Sequence, residues 1–492
     1  MSKIGIFIFR RDFRTQDNTA LIKCDKECDI IYPIFIFTPE QVDSKKNDYR
    51  SLNAIRFMTQ SLEEMNSSYL DDKLNYFYGD YLEVLNSLLE VIKKEYFSNE
   101  DSNDDFEIKS SIKIYANADY SPYGLKRDIK IRKMVSKWLS LGLNIKLDME
   151  YLAEDDITLF QPGSIVTGKG TVYQKFTPFY NKTLDKKFPS VDSSRINKSK
   201  YHSFKQTEKM SIIKKKIGYG NGELAPDPNR IGGRKAGLKI LRGLKSFKNY
   251  DDTRNTLSLE TTELSAYLKF GCLSIREVYH QMLNDFDKKH PLIRQLIWRE
   301  FYYHVGYGFQ VTLNNGNSMK EEYDKIKWKG TADTLQKWKD GETGFPIVDA
   351  CMKQINQTGY MHNRGRLIVA SFLVKNLQHD WRKGEKYFSQ RLIDIDWLVN
   401  NGNWQWVAGS GADSQPYFRI FNPWTQSKKF DPKAEYIKKW LPQLKDIPAK
   451  HLHKWDEHLD EYDLDKINYH APIIDYKKSR ELALDMYKKA FE

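Results

Sequence analysis

Cysteine is scarce. Four residues in 492 are too few for a disulfide scaffold and suit a reducing compartment. No stretch approaches the ~18 consecutive apolar residues of a membrane-crossing helix. Met1-Ser2-Lys3 leads into Ile4–Phe9 without the long apolar core and small-residue cleavage site of a secretion signal. A soluble intracellular protein is therefore expected, in cytoplasm or nucleus according to source, and a monomer by default. Cys24 and Cys28 stand four apart with no second ligand pair at zinc spacing, so they read as packed thiols and no metal is expected. No GxGxxG follows the first apolar run and no phosphate-loop lysine motif occurs, so the N-terminal half carries no nucleotide fingerprint of its own.

Apolar and aromatic residues are plentiful, at 40% and 14%, which excludes a disordered chain. The length allows two or three domains, each with a core. Lys and Arg number 78 against 66 acids, a balance of +12. All of that excess sits in one place: Arg195–Lys248 holds 15 basic residues and three acids (Glu208, Glu223, Asp227), and the remainder sums to zero. Clustered basic charge suits a nucleic-acid surface. Gly218, Gly220, Gly222, Gly232 and Gly233 in the same stretch favour a solvated linker instead. Either would attract polyanions.

Residues 4–9 (IGIFIF) and 30–37 (IIYPIFIF) read as buried strands, with further strands at Leu74–Tyr78 and Ile112–Tyr115. Helical patterns near Leu52–Met65, Tyr81–Lys94 and Leu125–Ser140 alternate with them. That alternation predicts a parallel, Rossmann-like sheet covered on both faces. The acidic run Ser98–Glu107 reads as a surface insertion. From ~150 to ~240 periodicity fades and Pro and Gly rise, as a long connector would require. Beyond it, Leu292–Val305, Ile347–Gln354, Arg364–Leu377 and Glu435–Trp440 repeat apolar residues at three- and four-residue steps. The expected organisation is an α/β domain over 1–150, a connector over 151–228 and an all-α domain over 229–492. Ten of the eleven tryptophans, Trp298 to Trp455, fall in the last; only Trp138 lies outside.

Large indoles mostly fill cores. A set of them near Asp394, Asp396 and Arg366 is less typical of plain packing, because polar groups there must be paired or face a ligand. Easily oxidised rings beside a polar pocket suit a redox cofactor.

The segments GETGFPIVDACMKQINQTGYMHNRGRLIVASFLVKNLQHDWRKGEKYF (341–388) and LIDIDWLVNNGNWQWVAGSGADSQPYFRIFNPWTQSKKFDP (392–432) strongly resemble the photolyase/cryptochrome family. So do FIFRRDFRTQDNTAL (7–21), VTGKGTVYQKFTPFY (166–180) and TTELSAYLKFGCLS (261–274). The likeness spans nearly the whole chain in the expected order and is greatest to the photolyases that repair cyclobutane pyrimidine dimers. It implies an N-terminal antenna domain, a connector and a helical FAD-binding domain. It further implies reduced anionic FAD as the cofactor, UV-damaged DNA as the partner, and a second antenna chromophore (folate, deazaflavin or flavin) near residues 115–128.

By the same resemblance Tyr250 and Thr261, Thr262, Glu263, Leu264 and Ser265 would hold the phosphate and ribose part of the cofactor. Arg366, Asp394, Ile395 and Asp396 would lie along the flavin, with Asn400 facing its redox-active nitrogen. An Asp394–Arg366 ion pair there would favour a negative reduced ring. Trp404, Trp381 and Trp328 match a tryptophan relay that refills an oxidised flavin from the surface. Trp298 matches the indole on which the flipped dimer stacks, and photolyases are among the enzymes that extrude their target bases from the duplex. Asn363 and Gln295 would contact the dimer edge. Arg254, Arg299, Arg364, Arg419 and Gln426 match positions near the DNA strand.

Two departures stand out. Gln295 replaces the Glu usual in dimer-repairing enzymes; an amide can donate and accept but cannot transfer a proton as a carboxyl can. Gln there is similar to (6-4) photolyases and animal-type cryptochromes, yet Asn363 and Leu367 stand where (6-4) repair needs histidines. Leu367 also replaces a common methionine, a mild volume change. The alternative to a repair enzyme is a cryptochrome-type blue-light photoreceptor with weak or no repair. Signalling members commonly extend past the helical domain, whereas this sequence closes with APIIDYKKSRELALDMYKKAFE (471–492), which is expected to favour repair. A flavin-free basic DNA-binding module is the third class, and the flavin-site pattern argues against it.

Overall fold

A computed structural model describes residues 2–97, 110–140, 148–219 and 230–492. The acidic run Ser98–Glu107 and the connector glycines Gly220 and Gly222 lie outside these residues. Five parallel strands form one sheet in the order β3-β2-β1-β4-β5: β1 Ser2–Ile8, β2 Ile30–Phe37, β3 Asn75–Tyr78, β4 Ser110–Asn117 and β5 Asp148–Glu154. Four match the expected strands. The edge strand β5 straddles residue 150; its charged Asp148 and Glu150 face solvent, so it lacks the continuous apolar run that marked β1 and β2.

Strand alternation divides the sheet between two cores. Ile4, Ile6 and Ile8 face helices Tyr81–Phe97 and Pro122–Ser140. Phe7 and Phe9 face the other way and join Phe13, helices Thr19–Glu27 and Leu52–Tyr69, and the helical half through Phe270, Leu296 and Ile297. Cys24 and Cys28 are free, buried thiols in that second core. Beyond residue 230 the described structure is helical. A third core gathers Trp338, Trp381, Trp404 and Trp455. No helix among the described residues is long and apolar enough to cross a membrane.

The basic stretch folds along its neighbours. Lys198 pairs with Asp71 (2.7 Å), Lys214 with Glu63 (2.7 Å) and Arg234 with Glu277 (2.7 Å), while Lys200 donates to the carbonyls of Asp25 and Cys28. These contacts favour the linker reading of its charge.

The two halves are joined through residues 10–18, directly after β1. Arg276, in helix Ile275–Asp285, donates to Asp17 Oδ2 (2.9 Å) and Asp156 Oδ1 (2.8 Å), and Arg14 donates to Asp156 Oδ2 (2.6 Å). All four side chains are buried. Burial alone would raise the Asp156 carboxyl, but Arg14 and Arg276 hold it well below its ordinary value. Gly271, at φ +60°, comes so close that a Cβ would lie 2.2 Å from the Arg11 carbonyl oxygen. No other residue fits the left-handed turn and the contact together.

Helix Pro291–Gly308 is clamped by the connector. Glu300 Oε2 accepts from the backbone N–H groups of Leu159 (2.8 Å) and Phe160 (3.2 Å), and His304 Nδ1 accepts from that of Gly163 (3.2 Å). Burial pushes Glu300 up to about 7 against Arg299 and the two N–H donors, and pushes His304 down to about 4.

Arg276→Met leaves Asp17 and Asp156 short of a partner and should cost about 3–5 kcal/mol in urea unfolding. Lys245→Met, on a largely exposed side chain, should stay within about 0.5 kcal/mol. Glu300 binds a proton in the folded state at a pH where the unfolded chain does not, so it adds stability as pH falls from about 7 toward 4.5. His304 is neutral when folded and charges when unfolded, so its contribution falls from pH 6.5 toward about 4. Glu300→Gln removes only the first term. Relative to that variant, the unmodified protein should gain about 2 kcal/mol between roughly pH 7.5 and pH 5; parallel pH profiles would refute the assignment.

Candidate active site

A cavity of about 540 Å³ opens within the helical half, inside the usual range for a bound small molecule. Helix Pro291–Gly308 lines it with Gln295, Trp298, Arg299 and Tyr302, one face at i, i+3, i+4, i+7. Helix Trp397–Ala408 does the same with Asn400, Asn403, Trp404 and Val407. Helix Asn363–Ser371 brings Asn363, Arg366 and Leu367, and the segment 261–265 closes one end.

One wall is polar and paired. Arg366 donates to Asp394 (2.9 Å), and Ser265 Oγ donates to the same carboxylate (2.7 Å). The expected Asp394–Arg366 pair is thus present. Both amide hydrogens of Asn400 are engaged, by the Glu385 carbonyl (3.1 Å) and Ser389 Oγ (3.2 Å), which leaves its carbonyl oxygen to accept. Asp396 caps helix Trp397–Ala408 by accepting from Val399 N–H, and is held in turn by Arg11 and Tyr303. Burial would raise its carboxyl; Arg11, Lys269 and Arg299 keep it well below its ordinary value. Lys269, beside it, is pushed down to about 8 by burial and by Arg11.

Tyr250, Thr261, Thr262, Glu263, Leu264 and Ile395 complete that end. Thr261 shares a hydrogen bond with Tyr360 (2.9 Å). Glu263 sits at φ +49° and pairs with Arg230 (2.7 Å), a strained backbone held at the cavity wall.

At the opposite end Trp298 stacks on Phe176, ring centroids 3.7 Å apart and 3° from parallel, and the rest of the indole lines the cavity. Gln295 Nε2 donates back to the Pro291 carbonyl (3.3 Å), turning its oxygen outward as an acceptor. A second recess of about 470 Å³ adjoins both residues and is edged by Arg254, Lys289, Arg294 and Asp251.

The remaining positions expected near DNA divide. Arg364 is tied to Asn255 Oδ1 (2.6 Å) and lies over the Phe430 ring (4.2 Å). Arg419 donates to Gln415 (3.0 Å), itself on the cavity wall. Gln426 has a buried carbonyl oxygen without a hydrogen-bond partner. Arg299 turns inward, donating to the Ile157 carbonyl (2.8 Å), and braces the connector.

Trp404 reaches the cavity, Trp381 is buried, and Trp328 is half-buried against Tyr487 (6.1 Å). All three belong to or pack on one core. Among the described residues no ring-to-ring contact joins Trp404 to Trp381 or Trp381 to Trp328; Trp404 touches Phe388 (5.0 Å) and Trp338 (6.4 Å). Gly384 makes room for it, since a Cβ there would lie 2.1 Å from the Trp404 ring.

A separate polar cluster lies in the α/β half. The buried Arg127 guanidinium sits over Tyr81 (5.3 Å) and Tyr123 (5.6 Å), near Asp119 and Asp128, with Nε and one terminal nitrogen lacking hydrogen-bond acceptors. The Tyr81 hydroxyl is likewise unpartnered.

Sequence reasoning missed Arg11, Lys269, Tyr303, Lys289 and Arg294. Arg11 stood inside the recognised FIFRRDFRTQDNTAL segment, and Arg294 one turn before Trp298; neither spacing alone points to the cavity.

Comparison with known proteins agrees with this geometry. Residues 6–99 and 107–194 match the family model described as DNA photolyase, and 292–489 match that described as the FAD binding domain of DNA photolyase. A deoxyribodipyrimidine photo-lyase of Buchnera aphidicola (Baizongia pistaciae) is 33% identical, covering 99% of this chain and 98% of that protein. The crystal structure of an archaeal photolyase from Sulfolobus tokodaii with two FAD molecules superposes at TM-score 0.81 and 32% identity, covering 99% of this chain and 100% of that one. A Synechocystis cryptochrome superposes at TM-score 0.77 and 25% identity, covering 98% and 99%. With both halves matched in order and the likeness running the length of each chain, this chain belongs to the DNA photolyase family.

Proposed function

We propose that this protein is a deoxyribodipyrimidine photolyase, which uses FAD and blue or near-UV light to split cyclobutane pyrimidine dimers in DNA. One observation carries the reading. Gln295, Trp298 and Asn363 open into the same cavity as Arg366, Asp394 and Asn400. A dimer held by the first set would rest against a cofactor held by the second, with no protein wall between them.

The donor set fits FAD. Apolar residues such as Leu268, Met282, Leu296 and Phe388 suit a planar ring, and the Thr262 hydroxyl suits phosphate oxygens. Bound in its reduced anionic form and excited by light, FAD would lend the dimer an electron and recover it once the dimer has split, with no net change of oxidation state. The protein's part is to bind and orient. The Asn400 oxygen accepts from a protonated flavin nitrogen, Arg366 offers positive charge to an anionic ring, and Asp394 fixes the Arg366 fork. Trp298, backed by Phe176, offers a flat face worth about 1–3 kcal/mol per stacked base. Asn363 and Gln295 offer hydrogen bonds to the dimer edge. Arg254, Arg364, Arg419, Gln426, Lys289 and Arg294 position the strand through its phosphates. Trp404, Trp381 and Trp328 return electrons to an oxidised cofactor. The Arg127–Tyr81–Tyr123 cluster, with its unpartnered donors, is the proposed seat of a light-harvesting second chromophore of the folate, deazaflavin or flavin class. Its neighbour from Sulfolobus, named for two FAD molecules, makes flavin one such candidate.

Gln295 is the specific observation that favours a photoreceptor as second reading. The two separate in one experiment: the reduced protein is illuminated with dimer-containing single-stranded DNA. Loss of dimers under blue light, absent in the dark, is expected. Dimers that persist while the flavin photoreduces would mean a cryptochrome. Gln295→Glu replaces the outward amide oxygen by a carboxyl that, when protonated, donates to the dimer. Repair per absorbed photon at subsaturating DNA should rise by roughly the twofold to tenfold that one hydrogen bond of about 0.5–1.5 kcal/mol supplies; an unchanged or lower yield would show a pocket adapted to the amide.

A further inference from the structure

Far along the chain, three short turns bring two histidines and a glutamate to one point. His451 lies in the turn Ala449–Leu452, His458 follows Trp455–Glu457, and Glu461 ends Leu459–Glu461. The turns are pinned from below. Trp455 is fully buried, donates from its indole N–H to the His470 carbonyl (3.0 Å), and packs on Tyr462 (5.4 Å). None of the three side chains lines the cavity described above.

The two imidazoles lie face to face, centroids 3.9 Å apart and 6° from parallel. Both present Nδ1 to the same carboxylate: His458 at 2.6 Å from Oε1, His451 at 3.5 Å from Oε2. The Tyr462 hydroxyl stands 2.6 Å from His451 Nδ1. One ligand atom from each of the three residues falls within 4.8 Å of the others. Stacked imidazoles gain little from each other in this arrangement, and a carboxylate aimed at both Nδ1 atoms marks a common focus.

We propose that His451, His458 and Glu461 form a binding site for one divalent transition-metal ion of the zinc class. Two neutral imidazoles and one carboxylate form the protein donor set of open zinc sites, with bonds of about 2.0–2.2 Å. Because an imidazole binds a metal in its own ring plane, the stacked pair must open by side-chain rotation for both Nδ1 atoms to reach that distance. Glu461 is largely exposed, so the donor set is open to water, and the Tyr462 hydroxyl, 2.6 Å from His451 Nδ1, would give up that contact to the ion. Magnesium and calcium, which demand mostly oxygen ligands, are poorly served. Nitrogen donors favour copper, nickel and zinc. The ion would staple residues 449–462 into a single unit. The ligands run His-x6-His-x2-Glu, a spacing unlike the cysteine pairs of structural zinc motifs.

The test uses the tag-free, FAD-loaded full chain, titrated calorimetrically with zinc chloride and with nickel chloride. One saturable equivalent in the micromolar range or tighter is expected, unaffected by millimolar magnesium. His458→Ala and, separately, Glu461→Gln should weaken it at least tenfold while leaving flavin absorbance and the unfolding midpoint without metal unchanged. Zinc should also raise that midpoint in the unmodified protein alone, since an ion that binds only the folded state stabilises it. No saturable binding, or equal affinity in both variants, would leave a hydrogen-bonded triad and overturn the proposal.

Discussion

One wall of the cavity is tied to charge taken out of water at the joint between sheet and helices. Asp17, Asp156, Arg14 and Arg276 are buried together. Each would cost several kcal/mol unpaired, so only an arrangement satisfying all four is populated. Such a network is weak evidence for net stability; its effect here is geometric. It fixes residues 10–18 against helix Ile275–Asp285, and from that loop Arg11 reaches Asp396. Asp396 caps the helix that presents Asn400 and Trp404 to the cavity. The loop after β1 is thereby coupled to that cavity wall through the Arg11–Asp396 pair.

A second consequence is electrostatic. Arg11, Lys269 and Arg299 converge on Asp396, and burial with Arg11 brings Lys269 to about 8. The wall is cationic at neutral pH without depending on a solvent-exposed lysine. An anionic ligand beside it would be stabilised in a low-dielectric site, where such charges act more strongly than in water. Glu263 and Asp394 are neutralised locally by Arg230 and Arg366, so they shape the cavity without opposing that field.

Much of this was legible in the chain, for identifiable reasons. β1 and β2 are buried on both faces, so apolar residues run unbroken and announce themselves. β5 is an edge strand with charged residues on its open side, and it passed for loop. Motifs pointed to Arg366, Asp394 and Asn400 because those residues lie inside contiguous distinctive segments, and the structure brings them to one cavity. The joint was invisible, since Arg276–Asp17 and Arg11–Asp396 are 259 and 385 residues apart and periodicity carries only local information. The basic stretch was counted correctly, but its partners Asp71, Glu63 and Glu277 are known only once the chain is folded.

Two of the helices that line the cavity break the rule by which core helices are recognised. Each turns toward the molecular interior a face that mixes amide and indole: Gln295, Trp298, Arg299 and Tyr302 on one, Asn400, Asn403 and Trp404 on the other. Packing alone does not compensate such faces, because a cavity of about 540 Å³ withholds the contacts that a filled core would supply. A ligand that fills it and meets its polar atoms therefore contributes to folding as well as to chemistry, by RT ln(1 + [L]/Kd), about 4 kcal/mol at a thousandfold excess over Kd. Cofactor retention and the stability of the helical half are then one quantity. A substitution that loosens Asp396 from Arg11 acts on both, although Arg11 belongs to the other half of the molecule.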